Sequence, residues 1–187
     1  IRDRFNLNKS SIVLDYSFYS ENISFVSSPN SNKSLSILKN FRPDITILAH
    51  CGLVNLNFLS FAGLTINSHP GILPYYRGVD VIEWTIFQEE FNKLGCTLHV
   101  VNEGIDSGSI IYSLRYRLRN EDDLNSIKIN IRNLSICLIM KFISTPSLRY
   151  KKINVQNKFP LYYKIPINKK ILINKKIDIF RRGYKEG

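Results

Sequence analysis

Residues 43–74 read PDITILAHCGLVNLNFLSFAGLTINSHPGILP, and the fold is decided in this stretch. Pro43-Asp44 closes whatever helix precedes it, because the residue ahead of a proline is pushed out of the helical region. Ile45–Ala49 is a short, wholly apolar run between turn signals, the pattern of a parallel strand buried on both faces. A weaker helix or turn is expected around Asn57–Phe61. Gly63 breaks it, and Leu64–Asn67 makes a second strand. His69-Pro70-Gly71 cannot continue that strand, since proline has no amide hydrogen for the ladder and glycine favours a turn.

Outward from this unit the alternation persists. Upstream, Lys33–Phe41 has a helical period, with Leu35, Leu38 and Phe41 on one face, and Ser11–Leu14 and Ile23–Val26 are short apolar runs read as strands. Downstream, Val79–Glu90 is expected to be a helix with Val79, Ile82 and Ile86 on one face. Thr97–Val101 then reads as a strand, Asn102–Ser107 as a loop and Ile110–Arg117 as another strand. Asp122 or Asp123 can cap a long helix running to about Ser144, in which Leu124, Ile127, Ile131, Leu134, Leu138 and Phe142 keep the helical period. After Pro146 the chain becomes basic and reads as irregular. The expectation is therefore an α/β domain over residues 1–145, with helices on both faces of a central, mostly parallel sheet, and a basic C-terminal extension over 146–187. The sequence opens without Met and without an obvious first strand and glycine-rich turn, so the domain is expected to lack part of its N-terminus.

Composition narrows the function. Of 187 residues, 44% are apolar, enough for a buried core and against general disorder. No apolar run approaches the roughly 18 residues of a membrane span, and no secretory signal follows Ile1-Arg2-Asp3-Arg4. Cys51, Cys96 and Cys137 are sparse and form no CxxC pair, so a reducing compartment, the cytoplasm, is expected. The net charge of +11 gathers in late pairs such as Lys151-Lys152, Lys169-Lys170, Lys175-Lys176 and Arg181-Arg182. Aromatic residues do not interleave with them in a repeating way, so they read as a solvated surface rather than a nucleic-acid face.

In open α/β sheets ligands bind beyond the carboxyl ends of the parallel strands. Two loops fall there, His50–Val54 and Ser68–Gly78. In the second, Asn67 and His69 are two apart at a strand end and so point to the same side. An amide donor beside an imidazole suits a reaction in which a carbonyl oxygen gains negative charge while a proton moves. Asp106 sits in a tight loop between Gly104 and Gly108; a carboxylate beside a histidine raises its pKa and fixes which nitrogen carries the proton. His99 invites a metal site with His69 and Asp106, but the spacing matches no metal motif, and His99 reads as a strand residue packed beneath the site. No metal is expected.

Together these pieces resemble a known family. Ile66-Asn67-Ser68-His69-Pro70-Gly71-Ile72-Leu73-Pro74 is similar to the asparagine–x–histidine–proline signature of formyltransferases that use 10-formyltetrahydrofolate, with Tyr76-Arg77-Gly78 following at the usual place. TLHVVNEGIDSGSII (97–111) resembles the family's strand, folate loop and aspartate, and PDITILAHCGL (43–53) the strand and loop before the signature. The resemblance implies a Rossmann-like domain and a catalytic trio of Asn67, His69 and Asp106. It also implies that 10-formyltetrahydrofolate binds against Gly52, Leu53, Val54, Val101, Glu103 and Ile105. Asn67 and protonated His69 would donate to an oxyanion, while Asp106 holds His69 charged and handles proton traffic. Arg77 and Tyr76 are candidates for contact with the substrate, though Arg77 could as easily pin its own loop. Cys51 reads as small and semi-buried, and Trp84 as a core or interface residue rather than a ligand contact.

The sequence departs from the family at Gly71, where many relatives carry serine, and before Lys33, where the opening strand does not match. The stretch after Pro146 is shorter than the C-terminal domain of a methionyl-tRNA formyltransferase. A small-molecule amine, such as a sugar amine, is therefore the expected partner, with tRNA kept open by the basic tail. Two other outcomes stay open: hydrolysis of formyltetrahydrofolate, and a relative that binds folate or nucleic acid without turnover.

Overall fold

The computed structural model describes residues 23–49, 51–145 and 159–183. The reading of Ser11–Leu14 as a strand lies outside them, and so does His50. Ile23–Val26 carries no regular structure, and Phe25 and Val26 are exposed, so the run is not a strand there.

Helix α1 (Asn32–Phe41) starts on Ser31, whose side chain accepts the Ser34 amide at 3.3 Å, and stops at Arg42, which turns left-handed ahead of Pro43. Strand β1 (Ile45–Leu48) follows, then α2 (Leu56–Phe61), capped by the Asn55 side chain on the Phe58 amide at 2.9 Å. Strand β2 (Leu64–His69) runs two residues beyond the expected end: His69 still pairs in the ladder, and the chain breaks away only at Pro70. Short β3 (Arg77–Gly78) leads into α3 (Val81–Phe87), which begins later than its periodicity suggests. Asp80, in the left-handed region at φ 51°, sets the start, and Val79 is exposed. After a 3-10 turn at Phe91–Lys93 come β4 (Gly95–Val100) and β5 (Ile110–Arg115). Helix α4 (Leu124–Ser144) opens with a reciprocal cap between Asp123 and Ser126.

The main sheet has the order β1-β2-β4-β5. Only β1 and β2 are parallel; β4 is antiparallel to both β2 and β5. Among the described residues the α/β layering is thus as expected, but the sheet is mixed. The reason is connectivity. The chain returns from β2 by a long excursion through α3 that ends beyond the carboxyl end of β2, so β4 starts there and runs back; β5 then follows by a loop.

Alternation along β2 separates two faces. Ile66, with Cys96 and Leu98 of β4, packs on Ile127, Ile131, Leu138 and Phe142 of α4 in the main core. Asn67 and His69 lie on the other face, opposite His99 and Thr97. The register slips between Leu98 and His99, so that Leu98 faces Tyr112 and His99 faces Ile110. Such a slip re-aims side chains locally.

The described part of the late basic stretch, residues 159–183, is not irregular. Strand β6 (Leu161–Tyr162) pairs in parallel with β3, and α5 (Ile167–Lys170) and α6 (Ile173–Gly183) follow. Ile165, Ile173 and Ile177 are buried in the main core, and Phe180 stacks on Phe91 at 4.1 Å. No helix of the described residues is long and apolar enough to cross a membrane.

The α4 seam gives a stability prediction. Ile131 is fully buried, whereas Ile136 on the same helix is 53% exposed. Ile131→Ala should cost about 2–5 kcal/mol in urea denaturation through lost burial and the cavity left behind, while Ile136→Ala should stay within about 0.5 kcal/mol of the parent.

Candidate active site

Four side chains converge on the face of β2 and β4 turned away from α4. His69 is buried, and its Nε2 lies 2.7 Å from the carbonyl oxygen of Tyr76. A carbonyl can only accept, so Nε2 carries the proton and Nδ1 is left with a lone pair in the neutral ring. That Nδ1 is 3.3 Å from Oδ2 of Asp106. His99 repeats the arrangement with its nitrogens exchanged. Its Nδ1 donates to the carbonyl of Val100 at 2.9 Å, and Nε2 lies 3.6 Å from Oδ1 of Asp106. The amide of Asn67 reaches the same Nε2 at 3.3 Å, which leaves its second N–H for another acceptor.

Asp106 sits between the two rings at the tip of the β4–β5 loop, with φ 45°. The Gly78 amide donates to its Oδ2 at 2.9 Å. Burial works against its ionisation, but His99, His69 and the Gly78 amide outweigh burial and hold its pKa down to about 2. For His69, burial pulls the pKa below its ordinary value, against the opposing charge of Asp106. With each ring's own proton tied to a carbonyl, the cluster has room for one mobile proton, shared between Asp106 and Nδ1 of His69 or Nε2 of His99.

Most sequence candidates gather around this cluster, with altered roles. Arg77 is buried and spends Nε and Nη2 on the carbonyl of Ile105, at 3.0 and 2.8 Å, so its guanidinium anchors the loop that carries Asp106. The Tyr76 ring is buried rather than lining an entrance. Val54 packs with Phe58 and Ala62, and Val101 joins the same small apolar group, bringing the loops at 51–55 and 101–108 to one side of the sheet. Gly52 and Glu103 are exposed, Ile105 is half-buried, and Leu53 stands 67% exposed. Cys51 is exposed, not semi-buried. Trp84 is half-buried, donating Nε1–H to the Tyr163 carbonyl at 2.7 Å.

Sequence reasoning set His99 beneath the site, yet it faces Asp106 directly. Only the pairing of β4 with β2, which sets it across from Asn67, reveals this. It also missed Asn30, whose side chain donates to the Leu53 carbonyl at 2.8 Å and accepts the Asn55 amide at 2.9 Å, fixing the 51–55 loop. Among the described residues no group of His, Cys, Asp or Glu is arranged to hold a metal ion.

Comparison with known proteins identifies the family. Residues 15–143 match the model of the formyl transferase family. The chain is 31% identical over 111 residues to a methionyl-tRNA formyltransferase of Syntrophus aciditrophicus, covering 58% of this chain and 35% of that one. It is 32% identical over 109 residues to a GDP-perosamine N-formyltransferase of Brucella melitensis, covering 57% and 42%. The chain thus spans less than half the length of these relatives. The formyltransferase PseJ from Anoxybacillus kamchatkensis, solved in complex with UDP-4,6-dideoxy-4-formamido-L-AltNAc and tetrahydrofolate, shares the fold. Its TM-score is 0.54 at 18% identity, covering 84% of this chain and 70% of that one.

The electrostatics give a signed prediction. The His69 ring should titrate below its ordinary value of 6.5 when followed by NMR. Asp106→Asn should lower that midpoint further, because the carboxylate is what opposes burial; a rise on substitution would contradict this account. The linked stability follows the same sign. A ring that resists protonation when folded makes the protein lose stability as the pH falls below about 6.5, since the unfolded ring takes up the proton.

Proposed function

The chain belongs to the formyl transferase family, and on that premise we propose that it transfers a formyl group from 10-formyltetrahydrofolate to the amine of a small molecule, most plainly an amino sugar. One observation carries the chemistry: Asp106, ionised between His69 and His99, with Asn67 beside them. Support for a sugar amine comes from the sugar formyltransferases among its relatives and structural neighbours.

The donor's site is judged from the loops themselves. Addition of a Cβ at Gly52 would meet nothing within 4 Å, and Leu53 projects an exposed apolar side chain beside it. An open backbone edge with an apolar shoulder, facing the 101–108 loop across the Val54–Val101 contact, fits a flat heteroaromatic ring with amide-like edges. Gly52, Leu53, Val54, Val101, Glu103 and Ile105 would hold it. When bound there, 10-formyltetrahydrofolate supplies an electrophilic formyl carbon.

The protein's own groups then do two things. Asn67 points its uncommitted N–H at the oxygen on which charge develops, a fixed donor that needs no reorganisation. The His69–Asp106–His99 cluster accepts the proton that a substrate amine sheds as it becomes bonded to carbon, and would return it to the donor's nitrogen, which leaves as its bond to the formyl carbon breaks. In the resting geometry the Nε2–H of His69 is held by the Tyr76 carbonyl, so the oxyanion role moves toward Asn67. His69 becomes a charged partner only while the mobile proton is on Nδ1.

Asn67→Ala should lower kcat by roughly 10²–10³, as loss of one oxyanion donor does elsewhere, and His69→Ala should remove nearly all turnover with the fold retained. Assay with amino sugars, with methionyl-tRNA and with no acceptor separates the outcomes. Formylated sugar supports the proposal; formylated tRNA redirects it to that acceptor. Formate release without an acceptor marks a hydrolase, and a wild-type rate in His69→Ala ends the assignment.

A further inference from the structure

We infer that Tyr162, in the C-terminal stretch outside the residues matched to the family, is a positioning residue for His69 and Asp106. The inference rests on the reading of those two as catalytic. Their orientation depends on main-chain groups of one short segment. The Tyr76 carbonyl fixes the Nε2–H of His69, the Gly78 amide fixes Oδ2 of Asp106, and the Arg77 side chain between them holds the Ile105 carbonyl next to Asp106. A carbonyl orients a ring only if its own peptide plane is held, so the question becomes what holds residues 76–79.

The structure answers with β6. Arg77 pairs with Leu161 and Gly78 with Tyr162, and the Val79 amide donates to the Tyr162 carbonyl at 3.0 Å. The Tyr76 ring lies on the Tyr162 ring, centroids 5.1 Å apart and planes 16° from parallel. The Tyr162 hydroxyl donates to Oε1 of Gln88 at 3.1 Å, and the Tyr76 hydroxyl lies between that same oxygen, at 2.7 Å, and the Glu90 carboxylate. The approach is closest at Gly78: its φ is 101°, and a Cβ there would stand 2.1 Å from the Tyr162 carbonyl oxygen. Two residues further on, Asp80 leaves its own helix uncapped and accepts the Ile165 amide at 3.0 Å. Thus Tyr162 grips the segment on one side while His69 and Asp106 are gripped by it on the other. The stacked ring of Tyr76 transmits the hold to the carbonyl that matters.

The role predicts effects that simple loss of stability does not. Tyr162→Phe keeps the flat ring and drops only the bond to Gln88, so its kcat should stay within about twofold of wild type. Tyr162→Leu removes the stack; a misplacement on the order of 1 Å can cost about 100-fold, so kcat should fall about 10- to 100-fold, with KM for 10-formyltetrahydrofolate within about threefold. In 15N-labelled protein the slowly exchanging Nε2–H signal of His69 should be present in wild type and Tyr162→Phe, and absent or broadened in Tyr162→Leu. If Tyr162→Leu does not fold, Tyr162→Met, which fills the space without a flat face, is read in the same way. A leucine or methionine variant that folds and keeps either the wild-type kcat or the intact ring signal overturns the inference. Full turnover in His69→Ala would instead defeat the underlying catalytic reading, while the ring signal would still report whether Tyr162 positions that side chain.

Discussion

A carboxylate facing two imidazoles whose protons are spent elsewhere is the constraint on which the rest of this structure turns. Asp106 is ionised and mostly shielded from water, and an isolated charge in such a place is costly. The fold meets that cost with a backbone amide from Gly78, and each ring turns toward the carboxylate a nitrogen that offsets the charge only while it carries the mobile proton. Each ring is held by a carbonyl, Tyr76 for His69 and Val100 for His99. The adjacent segments are therefore tied down as well: Arg77 across to Ile105, Gly78 against β6, and the β4–β5 loop turned left-handed at Asp106.

Much of this was legible in residue types and their spacing. Apolar runs at 45–48 and 64–66 announced strands, although β1 is not buried on both faces as expected, since Ile47 is exposed and its neighbours are half-buried; the two-residue interval between Asn67 and His69 announced a shared face. The long period from Leu124 to Phe142 announced the helix that covers the opposite face. Strand direction was not legible, because an antiparallel strand enclosed on both faces has the same apolar composition as a parallel one. His99 was underweighted because a histidine in an apolar strand has no pattern of its own; only its register with Asn67 gives it a role.

The groups that align His69 and Asp106 were illegible for a different reason. They are a carbonyl at 76 and an amide at 78, which every residue but proline possesses, so no side chain advertises them. The C-terminal stretch was misread because its lysines dominate the composition. Ile173, Ile177 and Phe180 nevertheless recur at helical spacing, and they are the residues that α6 buries or packs against the core.

The crowding at Gly71 bears on how this site can be exchanged with that of a relative. A Cβ at this position would stand 2.8 Å from the Tyr76 carbonyl oxygen, 2.9 Å from Nε2 of His69 and 3.1 Å from a methyl of Val81. A serine here therefore demands a different spacing between ring and carbonyl, not merely a different side chain. Residues 69–81 behave as one interlocking cassette: a chimera that imports position 71 must import the carbonyl segment and the start of α3 with it. Recombination breakpoints inside that cassette would join two individually sound backbones into an incompatible one.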